Sequence, residues 1–227
     1  MKKYLAHRGS WNENIIENTI SAFKRTYDNL SDNSLHGFEC DFQQLKTSIP
    51  DSWVIYHDDL NLDENTYQKY GTFHKNKNEE IPKLNDFCEW LGCIDKKIII
   101  NIEIKKGSAL GIKFLINQLN EFNKKKLIQF IFSSFDLNII KTLLDMKVKM
   151  GCLVETEKQL RQTEKIISKH SNIAFLAFEY DTYQKLGNRF KNRYDNAVYF
   201  KTYQSFLEHI DEIRNNPKVK FVFIEDR

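Results

Sequence analysis

A histidine and an arginine stand side by side at the end of the short apolar run that opens the chain, in Ala6-His7-Arg8-Gly9. Packing alone does not call for such a pair. Glu17-Asn18-Thr19 follows, and then Glu39-Cys40-Asp41, His57-Asp58 and Glu103-Ile104-Lys105, each of these three at the C-terminal end of an apolar, strand-like run. Two histidines, three carboxylates, an arginine and a lysine at strand ends form a set suited to metal-assisted phosphodiester chemistry. A phosphodiester is an anion that resists attack, and its transition state gathers more negative charge on the phosphoryl oxygens. Fixed positive groups that are already desolvated lower that barrier. Arg8 offers a planar fork for phosphate oxygens and Lys105 a point charge. A salt bridge from Lys105 to a rim carboxylate would have the same sequence signature. Histidines titrate near neutrality, so His7 and His57 can share general acid and base roles.

These groups need elements to position them, and the hydrophobic pattern supplies a regular series. Strand-like runs are Lys3 to His7, Gly37 to Phe42, Trp53 to His57, Lys97 to Ile104, Gln129 to Ser133, Met150 to Val154, Ile173 to Phe178, Ala197 to Lys201 and Lys220 to Ile224. Helix-like stretches with apolar residues near a 3.6 period lie between most of them: Thr19 to Tyr27, Leu84 to Leu91, Ala109 to Leu119, Leu137 to Leu144, Glu157 to Ile167 and Phe206 to Ile213. Alternation of this kind predicts parallel strands joined by helical crossovers. The run ending at His57 breaks the series. About ten residues separate it from the run before, too few for a helical crossover, and Ser48-Ile49-Pro50-Asp51 reads as a turn. It should therefore fold back antiparallel and carry His57 towards Glu39 and Asp41. The other eight runs fit a small (β/α)8 TIM barrel with an antiparallel hairpin arm after its second strand, in one domain spanning residues 1–227. In such barrels the chemistry sits at the C-terminal ends of the strands, where His7, Arg8, Glu39, Asp41, Glu103, Lys105 and Ser134 all fall. Glu39 and Asp41, two apart on a strand, share one face, and Cys40 points to the other.

Composition narrows the function classes. The chain has 227 residues, 41% hydrophobic and 13% aromatic, which a disordered chain would not carry. Its 34 basic and 31 acidic residues give a net charge of +3, without the clustered basic excess of a dedicated nucleic-acid binder. Cys40, Cys88, Cys93 and Cys152 form no Cys-x-x-Cys motif, so neither a structural zinc site nor a disulfide framework is expected. The opening apolar run is too short for a signal-peptide core, and no window approaches the ~20 apolar residues of a membrane span. A cytoplasmic protein without an integral membrane segment is expected. His36, His74, His170 and His209 lack polar company and read as surface or loop residues. Lys124-Lys125-Lys126 reads as a solvated face.

The ordered motifs His7-Arg8-Gly9, Glu17-Asn18-Thr19, Glu39-Cys40-Asp41, His57-Asp58, Ile81-Pro82-Lys83-Leu84, Glu103-Ile104-Lys105 and Ser133-Ser134-Phe135 together resemble the glycerophosphodiester phosphodiesterase family. The resemblance implies a TIM barrel and a divalent metal held by Glu39, Asp41 and Glu103, with His7 and His57 as the acid–base pair. Three oxygen ligands favour Mg²⁺ or Ca²⁺ over zinc. Glu17 could orient Arg8, and Asn18 could cap the first helix. The expected reaction is hydrolysis of a small-molecule glycerophosphodiester to glycerol phosphate and an alcohol. Where the family carries Trp-Thr-Val-Asn on its seventh barrel strand, this chain has Phe200-Lys201-Thr202-Tyr203-Gln204, which leaves the alcohol open. Two alternatives stay open beside it: a related phosphodiesterase or lyase acting on a polymer or lipid-headgroup diester, and a catalytically silent binder of a phosphorylated ligand.

Overall fold

The computed structural model describes residues 2–32, 35–46, 50–60, 80–190, 194–200 and 202–225. Of the positions singled out above, Ser48, Ile49, His74 and Lys201 lie outside them. In chain order the elements are β1 (Lys3–Ala6), α1 (Ile20–Asp28), β2 (Gly37–Gln44), β3 (Trp53–Ile55), α2 (Leu84–Gly92), β4 (Ile98–Lys106), α3 (Ala109–Phe122) and β5 (Ile128–Ser134). They continue with α4 (Leu137–Asp145), β6 (Met150–Val154), α5 (Glu157–Ile167), β7 (Ile173–Glu179), α6 (Tyr180–Phe190), β8 (Asn196–Tyr199), α7 (Tyr203–Asn215) and β9 (Val219–Ile224).

The sheet order is β1-β9-β8-β7-β6-β5-β4-β2-β3, and β1 also pairs with β2, which closes eight parallel strands into a barrel. The ninth, β3, lies antiparallel on β2 with Phe42 opposite Ile55 and Gln44 opposite Trp53. This is the hairpin arm that the short spacing requires. The caps that start the helices are written locally. Thr19, Ser108, Asp136, Thr156 and Thr202 each accept a hydrogen bond from a backbone N–H of the first turn, each worth about 1 kcal/mol. Thr19 thus takes the capping role expected of Asn18, which is occupied elsewhere.

Alternation along the strands builds two apolar layers. Outward side chains such as Phe38, Phe42, Ile100 and Ile102 pack against the helices. Inward ones, among them Leu5, Ile131, Leu153, Phe175, Phe221 and Phe223, fill the barrel. Gly151 makes room for that filling, because a Cβ there would stand 2.0 Å from the Phe175 ring. Phe175 is fully buried and packed between Phe221 and Phe223 at centroid distances of 5.0 and 5.8 Å. Gly151→Ala should therefore destabilise the protein by about 1–3 kcal/mol or more, the usual cost of overfilling a packed core, as read by urea unfolding.

Helix α6 has no counterpart among the helix-like stretches read from sequence. Tyr180, Tyr183 and Leu186, at a spacing of three, are its signal, diluted by polar neighbours. The lysine run 124–126 is exposed. His170 is exposed too, whereas His209 is half-buried within α7 and stacks on Tyr180 at 4.3 Å. His36 is half-buried just before β2 and accepts weakly from the Tyr4 N–H at 3.4 Å.

Candidate active site

The site grows out of the ends of β1, β2 and β4. Beyond β1 the His7 N–H donates to the Ile224 carbonyl at 2.8 Å, which fixes the turn. Arg8 and Gly9 then both adopt positive φ, 61° and 80°. For Arg8 this conformation is unfavourable by about 1 kcal/mol or more. Gly9 must be glycine, since a Cβ there would lie 2.9 Å from that of Ala22. The reversal aims the Arg8 N–H at Glu39 Oε2, 3.0 Å away. The Arg8 guanidinium donates from Nη1 to Glu17 Oε1 at 2.8 Å and places Nε 3.4 Å from Asp41 Oδ2.

Asn18 holds Asp41 from both sides. Its Nδ2 donates to Asp41 Oδ2 at 2.8 Å, and its Oδ1 accepts from the Asp41 N–H at 3.1 Å. It also sits at φ 56°, which asparagine tolerates better than most residues. Asn18→Gly keeps that backbone available while deleting both side-chain bonds. It should cost roughly 1–3 kcal/mol, because a buried charged acceptor loses one of its partners and its backbone N–H loses an acceptor; chemical denaturation checks this.

On β4, Glu103 stands in register with Asp41. The ladder slips between Phe42 and Gln43, so that Phe42 faces Ile104 and Gln43 faces Lys106, leaving Lys105 as the extra residue. Bulges of this kind re-aim side chains near active sites. Lys105 Nζ lies 3.2 Å from Glu103 Oε1 and 3.5 Å from Asp41 Oδ1. His7 Nε2 lies 3.8 Å from Glu39 Oε2.

Glu39, Asp41 and Glu103 each offer a carboxylate oxygen within 4.8 Å of the others. Above these oxygens His7, Arg8 and Lys105 keep 24%, 19% and 23% of their side chains exposed, so the imidazole and the two cations face the open mouth. Burial, then the charges of Asp41 and Glu103, push the Glu39 carboxyl well above its usual range. Burial and Asp41 push Glu103 up to about 7. Asp41 is held below the usual range, because Lys105, Arg8, His57 and the Asn18 hydrogen bond together outweigh its burial. Burial, helped by the charge of Arg8, pushes His7 down to about 3 and leaves its imidazole neutral at physiological pH.

The donor set fits a hard divalent cation. It is all oxygen, two of its carboxyls are held back from ionising by burial and by neighbouring carboxylate charge, and Glu39 Oε1 is buried with no hydrogen-bond partner. Orphaned buried oxygens are rare in folded proteins.

His57 stands just past β3. Tyr56 donates to the Asp41 carbonyl at 3.0 Å, and His57 Nδ1 lies 3.0 Å from Asp58 Oδ1. Its charge is felt at both His7 and Asp41. The structure therefore gathers His7, Arg8, Glu17, Glu39, Asp41, Glu103 and Lys105 at one mouth, with the arm bringing His57 beside them. Ser134 does not join them. Its Oγ donates to the Ile104 carbonyl at 2.7 Å and accepts from the Asp136 N–H at 3.1 Å, which ends β5 and starts the next turn. The inward-facing Gln43 and Asn101 escaped the motif reading. Their only sequence signal is parity, two residues from Asp41 and two from Glu103. Asn101 Nδ2 donates to Ser133 Oγ at 3.0 Å beneath the carboxylates. A cavity of about 1230 Å³ among the described residues is lined by Lys3, His36, Lys97 and Gln129 among others and by none of these site residues.

The chain is thus an eight-stranded parallel TIM barrel that gathers three carboxylates, two histidines and two cations at one mouth. Proteins of known structure share this fold over nearly the whole chain. A glycerophosphodiester phosphodiesterase from Parabacteroides distasonis superposes with a TM-score of 0.68 at 18% identity, covering 99% of this chain and 92% of that one. A phosphodiesterase from Oleispira antarctica, solved with its product sn-glycerol-3-phosphate, gives 0.67 at 16% identity, covering 99% and 93%. A calcium-dependent phosphoinositol-specific phospholipase C from a Pseudomonas species gives 0.56 at 14% identity, covering 99% and 89%. At these identities the likeness establishes the fold. No protein-family model matches the sequence, and no curated relative does. No helix among the described residues is long and apolar enough to cross a membrane.

Proposed function

We propose that the protein is a divalent-cation-dependent phosphodiesterase that cleaves a glycerophosphodiester to glycerol phosphate and an alcohol. One observation carries this reading: three converging carboxylate oxygens, one of them orphaned, lie directly beneath Arg8 and Lys105. Glu39, Asp41 and Glu103 would hold Mg²⁺ or Ca²⁺, which supplies positive charge against the phosphoryl oxygens. The solved neighbours named for this chemistry support the assignment, as does the product bound in one of them.

Arg8 and Lys105 bind the diester's free oxygens and steady the charge that builds on them. Neutral His7 accepts the proton of the glycerol hydroxyl next to the ester. That oxygen attacks phosphorus, and the bond to the alcohol breaks. Protonated His57 donates its proton to the departing alkoxide, which leaves a five-membered cyclic phosphate. Water then opens the ring with the roles exchanged: His57 takes the water's proton, and His7 returns its own to the glycerol oxygen. Glu17 steadies Arg8 through the 2.8 Å contact. Four free cysteines suit a reducing, cytoplasmic setting.

The test uses purified protein with Mg²⁺ or Ca²⁺, assayed on glycerophosphocholine and on bis(p-nitrophenyl) phosphate with phosphorus NMR. Turnover of the glycerol diester with a transient cyclic phosphate is expected, with far slower cleavage of the diester that lacks a neighbouring hydroxyl. No turnover of either diester by cation-loaded protein would leave the site a phosphate binder.

A further inference from the structure

We infer that Gln43 is the positioning residue for His57, an inference that rests on the proposed role of His57 as general acid. β3 ends at Ile55, and the last ladder pair is Phe42 with Ile55, so His57 stands beyond the sheet. Gln43 is 2% exposed and reaches across to the segment that carries it. Its Nε2 donates to the carbonyls of Tyr56 and Asp58, both at 2.8 Å, on either side of His57. Its Oε1 accepts from the Leu60 N–H at 3.3 Å.

One amide thus meets two acceptors and one donor, a pattern that only an amide satisfies in full. A glutamate here would set a carboxylate against two carbonyls, and a leucine would bond to none. The Lys106–Asp59 pair, 2.7 Å apart, also ties this segment, but its side chains are 44% and 74% exposed, and such pairs contribute little. The arm's own pair, His57 with Asp58, moves with the arm and cannot anchor it. Gln43 shares its strand with Glu39 and Asp41. It therefore fixes the histidine to the same rigid element that carries two of the ligand carboxylates. The Tyr56 N–H bond to the Asp41 carbonyl at 3.0 Å holds the segment only on the near side of His57. Losing the Gln43 bonds frees the far side, at Asp58 and Leu60, and a displacement of the imidazole by an ångström or so costs about 10²-fold in rate when the group must meet a reacting atom.

The experiment compares Gln43→Leu, His57→Asn and the double variant on two substrates: glycerophosphocholine, whose alkoxide must be protonated, and the p-nitrophenyl ester of glycerol phosphate, whose leaving group needs no acid. In single turnovers, which read the first step before the ring opening common to both substrates, Gln43→Leu should slow choline release by about 10–100-fold and barely touch release of p-nitrophenolate. KM and calorimetric cation affinity should be unchanged. The double variant should be no slower than His57→Asn alone. Equal slowing on both substrates, or losses that multiply in the double variant, overturns the inference and leaves Gln43 a structural residue. Gln43→Glu supplies the same comparison if the leucine variant does not fold. Equal slowing of both substrates by His57→Asn itself would instead remove the general-acid reading, and the inference with it.

Discussion

Diester cleavage by the His7→Asn protein falls by about 10²–10⁴-fold, the usual worth of a well-placed proton acceptor, while its fold and cation affinity are kept. Asparagine nearly matches the imidazole in length and cannot take up a proton. The backbone bond from residue 7 to Ile224 survives the change, so the turn that aims Arg8 at Glu39 should survive too. The surroundings of His7 set its resting protonation state. Burial and Arg8 hold its pKa near 3, so the wild-type imidazole is free to accept a proton at any ordinary assay pH. The acid limb of the wild-type profile therefore does not come from His7. With the proposed cation at Glu103 and Glu39, it should come from protons competing there, and raising the cation concentration should move it to lower pH. Steady-state rates, thermal melts and calorimetry check the set. A His7→Asn rate within tenfold of wild type would remove His7 from the reaction.

Without cation, the Glu103→Gln protein is more stable than wild type at pH 8 and equal to it near pH 5. Glu103 ionises at about 4.5 when unfolded but near 7 in the metal-free fold. The folded state thus keeps its proton where the unfolded chain has released it. Stability present at low pH is lost as pH rises from about 4.5 to about 7, by roughly 3 kcal/mol for this one group. Glu39 is shifted in the same direction. His7 works the other way, since its lowered pKa lets stability rise with pH between about 3 and 6.5. Comparing the two proteins at one pH cancels that contribution. Saturating cation should reverse the order, because it stabilises a folded wild type by about 2.7 kcal/mol at a hundred times its Kd and the three-ligand variant by less. Urea unfolding at pH 5 and pH 8, with chelator and then with Ca²⁺ or Mg²⁺, gives the answer. A Glu103→Gln protein less stable than wild type at pH 8 in chelator would mean that burial and Asp41 do not disfavour the Glu103 carboxylate in the metal-free fold.

The architecture and the convergence of the three carboxylates could be read from the chain because they obey local rules. Apolar runs marked all nine strands, and a ten-residue gap was too short for anything but the arm. Two carboxylates two apart on a strand had to share a face. What escaped the reading depends on partners distant in sequence. Asn18 looked like a cap because it opens a helix, yet its side chain is committed to Asp41, 23 residues away. Gln43 has no motif value of its own, and its importance lies in three backbone groups on the neighbouring arm. Helix α6 was hidden because its buried face is made largely of tyrosines among polar residues. The strained φ of Arg8 is equally silent in sequence, since it follows from the need to point one N–H at Glu39.

Cys40, between Glu39 and Asp41, turns its thiol into the outer core, where burial and the neighbouring acids raise its pKa well above normal. Cys88 and Cys152 are also buried, each pushed up to about 12, and only Cys93 is exposed, just past the end of α2. A maleimide dye or a nitroxide should accordingly attach at one place on the native protein and leave turnover untouched. The molecule thus carries a single built-in attachment point at the end of that helix, on an element that supplies none of the proposed site residues.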